Sequence, residues 1–204
     1  LATDEGDPTE ALAELEAYSL ITRAAERPEC SVHRLVQAVT RHDLQGDGVP
    51  KRLVEALRWM EAAFVGDPTD VRNWPVLDPL TPHARAVAGF ADEVGVTEPT
   101  TYLFSELGVL LKSKAAYAEA EPLLRRALTI DTTVLGTDDP TTAIHLNNLA
   151  LLLKETLRLA EAEPLMRQAL AIDETNYGPN HPDTAPKLNN LAQLLMATGR
   201  LAGC

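Results

Sequence analysis

Residues 119–128 read EAEPLLRRAL and residues 161–170 read EAEPLMRQAL, so two segments 42 positions apart differ only at Leu124/Met166 and Arg126/Gln168. The same shift lays Leu146–Ala150 (LNNLA) on Leu188–Ala192 (LNNLA) and superimposes Asp131 on Asp173, Gly136 on Gly178 and Pro140 on Pro182. Identity of this density at one fixed spacing marks an internal duplication. Periods of this length belong to arrays in which each unit buries its apolar face against its neighbours.

Within one period, Leu146, Leu149, Ala150 and Leu153 recur at i, i+3, i+4 and i+7, which gathers them on one side of a first helix. After a break near Arg158, Ala162, Leu165, Met166, Ala169 and Leu170 form the stripe of a second helix, and the small alanines at 150, 162 and 169 allow close approach. Glu163 and Pro164 are expected in the first turn of that second helix, where a proline forfeits no intrahelical hydrogen bond. Gly178-Pro179 is expected to end it.

These positions resemble the tetratricopeptide repeat. Leu149, Ala150, Leu153, Ala162 and Ala169 supply the residue types that family uses in its two helices. Leu107, Gly108, Leu111, Ala120, Leu124 and Ala127 supply them once earlier, and Leu191, Ala192 and Leu195 begin them again. The 42-residue period resembles the extended-helix variety of kinesin light chains. The family's proline near the end of the second helix is absent, Glu174 standing there, as expected if that helix runs on. The resemblance implies an all-α, right-handed helical solenoid over residues 98–204, with two complete units and a third cut short. With no second helix to cover it, Leu188, Leu191 and Leu195 are expected to face solvent or a second copy, a route to self-association. The stop at Cys204 and the start at Leu1 without Met lead us to expect a piece of a longer chain.

The first half reads differently. Residues 1–48 predict a helix near Pro8 to Tyr18, extended pieces at Ser19–Arg23 and Cys30–His33, and a helix Arg34–Leu44 closed by Gly46, the order of a winged-helix-like α+β segment. The strings around Ala11–Leu15, Tyr18–Ile21 and Val32–Gln37 resemble the segment after the nucleotide-binding domain of NB-ARC signal-transduction ATPases. Residues 49–97 predict a helical linker or atypical repeat, its first helix carrying Leu53, Leu57, Met60 and Phe64 and its second irregular. Phe64, Asn73–Pro75 and Leu80–His83 resemble the linker joining winged helix to repeats in bacterial NB-ARC proteins. The resemblance implies a nucleotide-binding domain elsewhere in the full-length chain, because these 204 residues contain no G-x-x-x-x-G-K-[ST] loop.

Composition narrows the partners. Leu and Ala dominate and aromatics make up 4% of the chain, which suits packed helices. The net charge is −12, and no region is basic: residues 1–48 hold 4 basic and 10 acidic groups, 49–98 hold 5 and 8, and 99–204 hold 9 and 12. Affinity for phosphate backbones and anionic bilayers comes from Lys and Arg, so neither nucleic acid nor membrane is an expected partner. Cys30 and Cys204 have no partner pattern, and no apolar run approaches the roughly 20 residues of a membrane span, so a cytoplasmic setting is expected.

No constellation for chemistry emerges. His33, His42, His83, His145 and His181 show no metal-ligand spacing, the serines lack a G-x-S-x-G setting, and Cys30 has His33 nearby but no third group. The chain is therefore expected to be no enzyme and to carry no cofactor or metal. What remains is binding. By the family's pattern the inner face of each first helix lines a concave groove, and the candidates there are Tyr102, Ser105, Glu106, Val109 and Lys112, then Ile144, Asn147, Asn148, Leu151 and Lys154, then Asn189, Asn190, Gln193 and Met196. Asparagine both donates and accepts, which suits the backbone of an extended peptide, and Lys112 and Lys154 would draw acidic groups. The competing role for Asn148 and Asn190 is to bridge neighbouring repeats. Three functions follow: the sensor and scaffold portion of an NB-ARC-like switch, a free-standing adaptor, and a winged-helix transcription regulator. The last is disfavoured because Arg34–Leu44 offers only Arg34, Arg41 and His42 as basic groups.

Overall fold

The computed structural model describes residues 21–23, 30–32 and 49–199, and the chain divides into two units at Lys51/Arg52. In the first unit, β1 (Ile21–Arg23) and β2 (Cys30–Val32) pair antiparallel, with Ile21 opposite Val32 and Arg23 opposite Cys30. This hairpin lies within the two extended pieces read from the sequence. A two-stranded hairpin is common to many folds and does not by itself make a winged helix; the helices expected at Pro8–Tyr18 and Arg34–Leu44 lie outside the described residues.

α1 (Val49–Ala63) crosses into the second unit, whose other described elements are α2 (Trp74–Glu93), α3 (Thr100–Ser113), α4 (Tyr117–Val134), α5 (Pro140–Glu155), α6 (Leu159–Tyr177) and α7 (Thr184–Ala197), with a 3-10 turn at Val71–Asn73. From α2 onward each helix packs on the next, and the closest pairs are the hairpins α3/α4 and α5/α6. In α5/α6 the stripes expected from the spacing are buried at Leu146, Leu149, Ala150, Leu153, Ala162, Met166 and Ala169 and half-buried at Leu165 and Leu170. Leu107, Gly108, Leu111, Ala120, Leu124 and Ala127 form their counterpart in α3/α4. The small position sets the approach. A Cβ on Gly108 would stand 2.6 Å from the Leu124 side chain, whereas Ala150, one period later, accommodates its methyl beside a flexible methionine, Met166.

The inter-helix turns repeat as well. Ala115 and Leu157, 42 residues apart, adopt left-handed backbone with φ of 59° and 61°, and Gly199 follows at 69°. At the end of α5 the Leu157 amide bonds Lys154 O at 3.1 Å and the Arg158 amide bonds Leu153 O at 2.8 Å, a Schellman closure that satisfies two otherwise open carbonyls.

Three expectations are corrected. Pro164 is not in the first turn: α6 begins at Leu159, which puts Pro164, like Pro122 in α4, inside the helix. One lost backbone bond is outweighed there by burial of Ala162, Met166 and Ala169. Nor is the second helix of residues 49–97 irregular, since α2 runs unbroken for 20 residues despite Pro79 and Pro82 in its interior. Its stripe of Leu77, Ala84, Ala88 and Ala91 is buried, and Arg85–Glu119 (2.9 Å) and Arg126–Asp92 (2.6 Å) tie it to α4, so tertiary contact overrides local propensity. In α7, Leu188 is exposed as expected, but Leu191 is buried and Leu195 half-buried in one cluster with Leu149, Ala162 and Met166, because a first helix buries one face against the preceding hairpin whatever follows it.

Candidate functional site

The first helices of successive hairpins, α3, α5 and α7, stand side by side. A ladder of polar side chains joins them at one register. Asn148 Nδ2 donates to Ser105 Oγ at 3.3 Å, and 42 residues on Asn190 Nδ2 donates to Asn147 Oδ1 at 3.0 Å. Asn148 and Asn190 therefore bridge repeats. Lower down, Lys154 Nζ donates to Gln193 Oε1 at 2.8 Å and Lys112 Nζ lies 3.5 Å from Glu155 Oε1, so both lysines have partners within the chain. Tyr102, Ile144, Asn189, Gln193 and Met196 are exposed on this set of helices, while Val109 and Leu151 are half-buried between them.

At the top of α3 and α5 the surface opens into a cavity of about 450 Å³. Arg58 and Glu61 of α1, Glu98, Tyr102, Ser105 and Glu106 at α3, Asp131 of α4, and Ile144 and His145 of α5 are among its walls. Of the expected groove residues it unites Tyr102, Ser105, Glu106 and Ile144, and leaves the others along the ladder. Sequence reading missed Arg58, Glu61, Glu98, Asp131 and His145 as site residues. The 42-residue shift held a signal for the last two, because it pairs Asp131 with Asp173 and His145 with Lys187.

Those four residues form two equivalent junctions between a second helix and the following first helix. In the earlier one His145 Nε2 lies 2.9 Å from Asp131 Oδ2, both side chains buried. An ionised carboxylate only accepts, so Nε2 carries the proton, and Nδ1 is left as a buried acceptor with no partner among the described residues. Burial pushes the imidazole below its ordinary range, against the opposing pull of Asp131, and keeps the ring neutral. In the later junction Lys187 Nζ forms an ion pair with Asp173, again buried. Around the earlier junction Glu106 is held above the usual carboxylate range by burial and by Asp67, and the Tyr102 phenol is raised by burial and by Glu106 and Glu61.

Elsewhere an ion-pair network joins two second helices. Arg158 reaches Glu121 at 2.8 Å and Glu161 at 2.7 Å, linking α4 to α6, and these hydrogen bonds raise its guanidinium further while lowering Glu161. His181 stacks on Tyr177 with ring centres 4.9 Å apart, and His83 is exposed on α2. Among the described residues no three His, Cys, Asp or Glu side chains are grouped to hold a metal ion, and no helix is long and apolar enough to cross a membrane.

Stacked helical hairpins with a small residue at each closest approach and a polar ladder between first helices define the class as a tetratricopeptide-like solenoid. Residues 99–175 match the tetratricopeptide repeat family, and residues 1–49 match a family described as a domain of unknown function (DUF7779). A nucleotide-binding leucine-rich repeat (NLR)-like protein of Hyaloscypha variabilis is 32% identical over 143 residues, which span 69% of this chain and 14% of that protein. Among solved structures, a putative kinesin light chain of Podospora anserina with nearly identical TPR-like repeats superimposes with a TM-score of 0.59 at 19% identity, covering 75% of this chain and 69% of that one. BtubC (BKLC) from P. vanneervenii does so with a TM-score of 0.53 at 22% identity, covering 74% and 65%. At these identities the likeness establishes the fold.

Proposed function

We propose that this chain is a protein-interaction scaffold whose ladder face of α3, α5 and α7 binds an extended peptide or protein segment, and that it serves as the sensor portion of an NB-ARC-like signalling ATPase. The observation that carries the binding reading is the exposure of Tyr102 on α3, Ile144 on α5 and Asn189, Gln193 and Met196 on α7, three first helices that stand side by side. Such a surface offers both apolar contact and amide hydrogen bonding to an extended strand. The switch reading draws on the nucleotide-binding, NLR-like relative. A ligand that fits one arrangement of the hairpins better than another would shift an attached ATPase between states by that difference in affinity.

Random peptide display on the 204-residue chain tests the first part. An enriched peptide is expected to lose about tenfold or more in affinity, roughly 1.4 kcal/mol, to Asn189→Ala combined with Gln193→Ala, with helicity unchanged by circular dichroism. Equal affinity would move binding off the ladder, and a chain that enriches no sequence would remove the peptide reading. For the second part, the coding sequence ahead of Leu1 is expected to contain a G-x-x-x-x-G-K-[ST] loop; an initiator codon there would favour a free-standing adaptor.

A further inference from the structure

The two buried junctions are copies of one another, and the later one shows what the earlier one lacks. Lys187 delivers an ammonium to Asp173. At the equivalent position Asp131 meets only His145, a neutral ring that donates one hydrogen bond and supplies no charge. The surroundings widen the difference. Glu98 and Glu106, which line the earlier cavity, are replaced one period later by Pro140 and Asn148, and Glu61 of α1 adds a further carboxylate. None of Glu61, Glu98 and Glu106 forms an ion pair with another described residue, and Arg58, exposed at the rim, is the one arginine or lysine among the lining residues. Within the same wall, His145 is 4% exposed, and its Nδ1 is an acceptor without a donor.

We propose that the cavity between α1, α3 and α5 is a subsite for the side chain of a lysine or arginine carried by the bound peptide, held by Glu61, Glu98, Glu106 and Asp131 with Tyr102 and Ile144 against its aliphatic stem. The proposal rests on the ladder face being a peptide-binding surface. A long cationic side chain suits this composition, because its methylenes bury against apolar surface while its head stays among carboxylates. Its N–H groups are donors without lone pairs, matching a wall of carboxylate acceptors. A metal ion is a poorer match, since the carboxylates are not grouped to hold one.

The test uses the ¹⁵N-labelled 204-residue chain and three capped amino acids: acetyl-lysine methylamide, acetyl-arginine methylamide and the uncharged acetyl-norleucine methylamide. Saturable shifts at the amides of Tyr102, Glu106 and His145 are expected with at least one of the cationic compounds and not with norleucine. Glu98→Gln combined with Glu106→Gln, which preserves shape, is expected to weaken that binding about tenfold. A second variant, His145→Lys, imports the residue of the later junction and is expected to abolish it with the rest of the spectrum unmoved. Equal response to norleucine, shifts confined to other helices, or either variant binding like the parent would overturn the assignment. Because neither Asn189 nor Gln193 lines the cavity, loss of peptide binding in their double variant and loss of cation binding here fail independently.

Discussion

The Asp131–His145 and Asp173–Lys187 junctions occupy equivalent places in a duplicated unit, yet one is closed by a neutral imidazole and the other by an ammonium. The backbone frame is shared: Thr142 and Thr184 each donate a hydroxyl to the carbonyl of Gly136 or Gly178, at 2.9 and 3.0 Å, and so hold the loop before α5 and α7 in the same way. The difference teaches that the repeat conserves a buried carboxylate while leaving its counter-group free to vary. Where the counter-group is a permanent charge the buried carboxylate meets an ammonium within the chain. Where it is a neutral histidine, a cavity rimmed with carboxylates opens beside it.

The largest expected effect comes from breaking the complete junction. Lys187→Ala leaves Asp173 buried without its partner and is expected to cost about 3–5 kcal/mol of stability, measured by urea unfolding. The close approach in α3/α4 comes next. Gly108→Ala drives a methyl into Leu124, at a cost of about 1–3 kcal/mol for overpacking, only partly offset by the better helix propensity of alanine. Adding Leu124→Met, which reproduces the Ala150/Met166 pairing, is expected to recover much of that loss; a double variant no more stable than the single would show that the two hairpins do not pack alike.

A smaller effect separates the junctions by pH. His145 in the folded chain is held below its unfolded value of 6.5, so at lower pH the unfolded chain binds a proton that the folded chain resists. Its contribution to stability is therefore full above that value and falls as the pH drops through it, by about 1.4 kcal/mol for each unit that separates the folded and unfolded values. Subtracting the stability-versus-pH curve of His145→Gln from that of the parent isolates this contribution; a flat difference curve would mean that folding leaves the ring unshifted, and one that rises as the pH falls would mean that the folded chain favours the charged ring. The smallest effect concerns the shared turn. Leu157 is 82% exposed and left-handed, so Leu157→Gly gives up little burial and relieves strain, with an expected gain of about 0.5–1 kcal/mol in thermal or urea unfolding.

Much of this fold was legible because it is repeated. The 42-residue shift located both hairpins, and the spacing of Leu149, Ala150 and Leu153 against Ala162, Met166 and Ala169 named the faces that pack. α2 was less legible, since Pro79 and Pro82 argue locally against a continuous helix and only its alanine stripe and its ion pairs to α4 hold it together. For Asn148 and Asn190 the sequence left two roles open, ligand contact and bridging, and the structure shows the bridge, because a donor's choice between a ligand and a neighbouring helix depends on a distance between helices.

The amino-acid order alone determined the repeat, the helix pairs, the small residues at their crossings and the acidic, non-basic character of the chain, since each of these depends on period, residue volume or charge count. The tertiary structure decided which polar groups meet. Asp131 and His145 are 14 residues apart on different helices, as are Asp173 and Lys187. Only the packing of one hairpin on the next removes both pairs from water, and it is that removal which turns an ordinary histidine into a neutral, half-satisfied group beside a carboxylate-lined cavity.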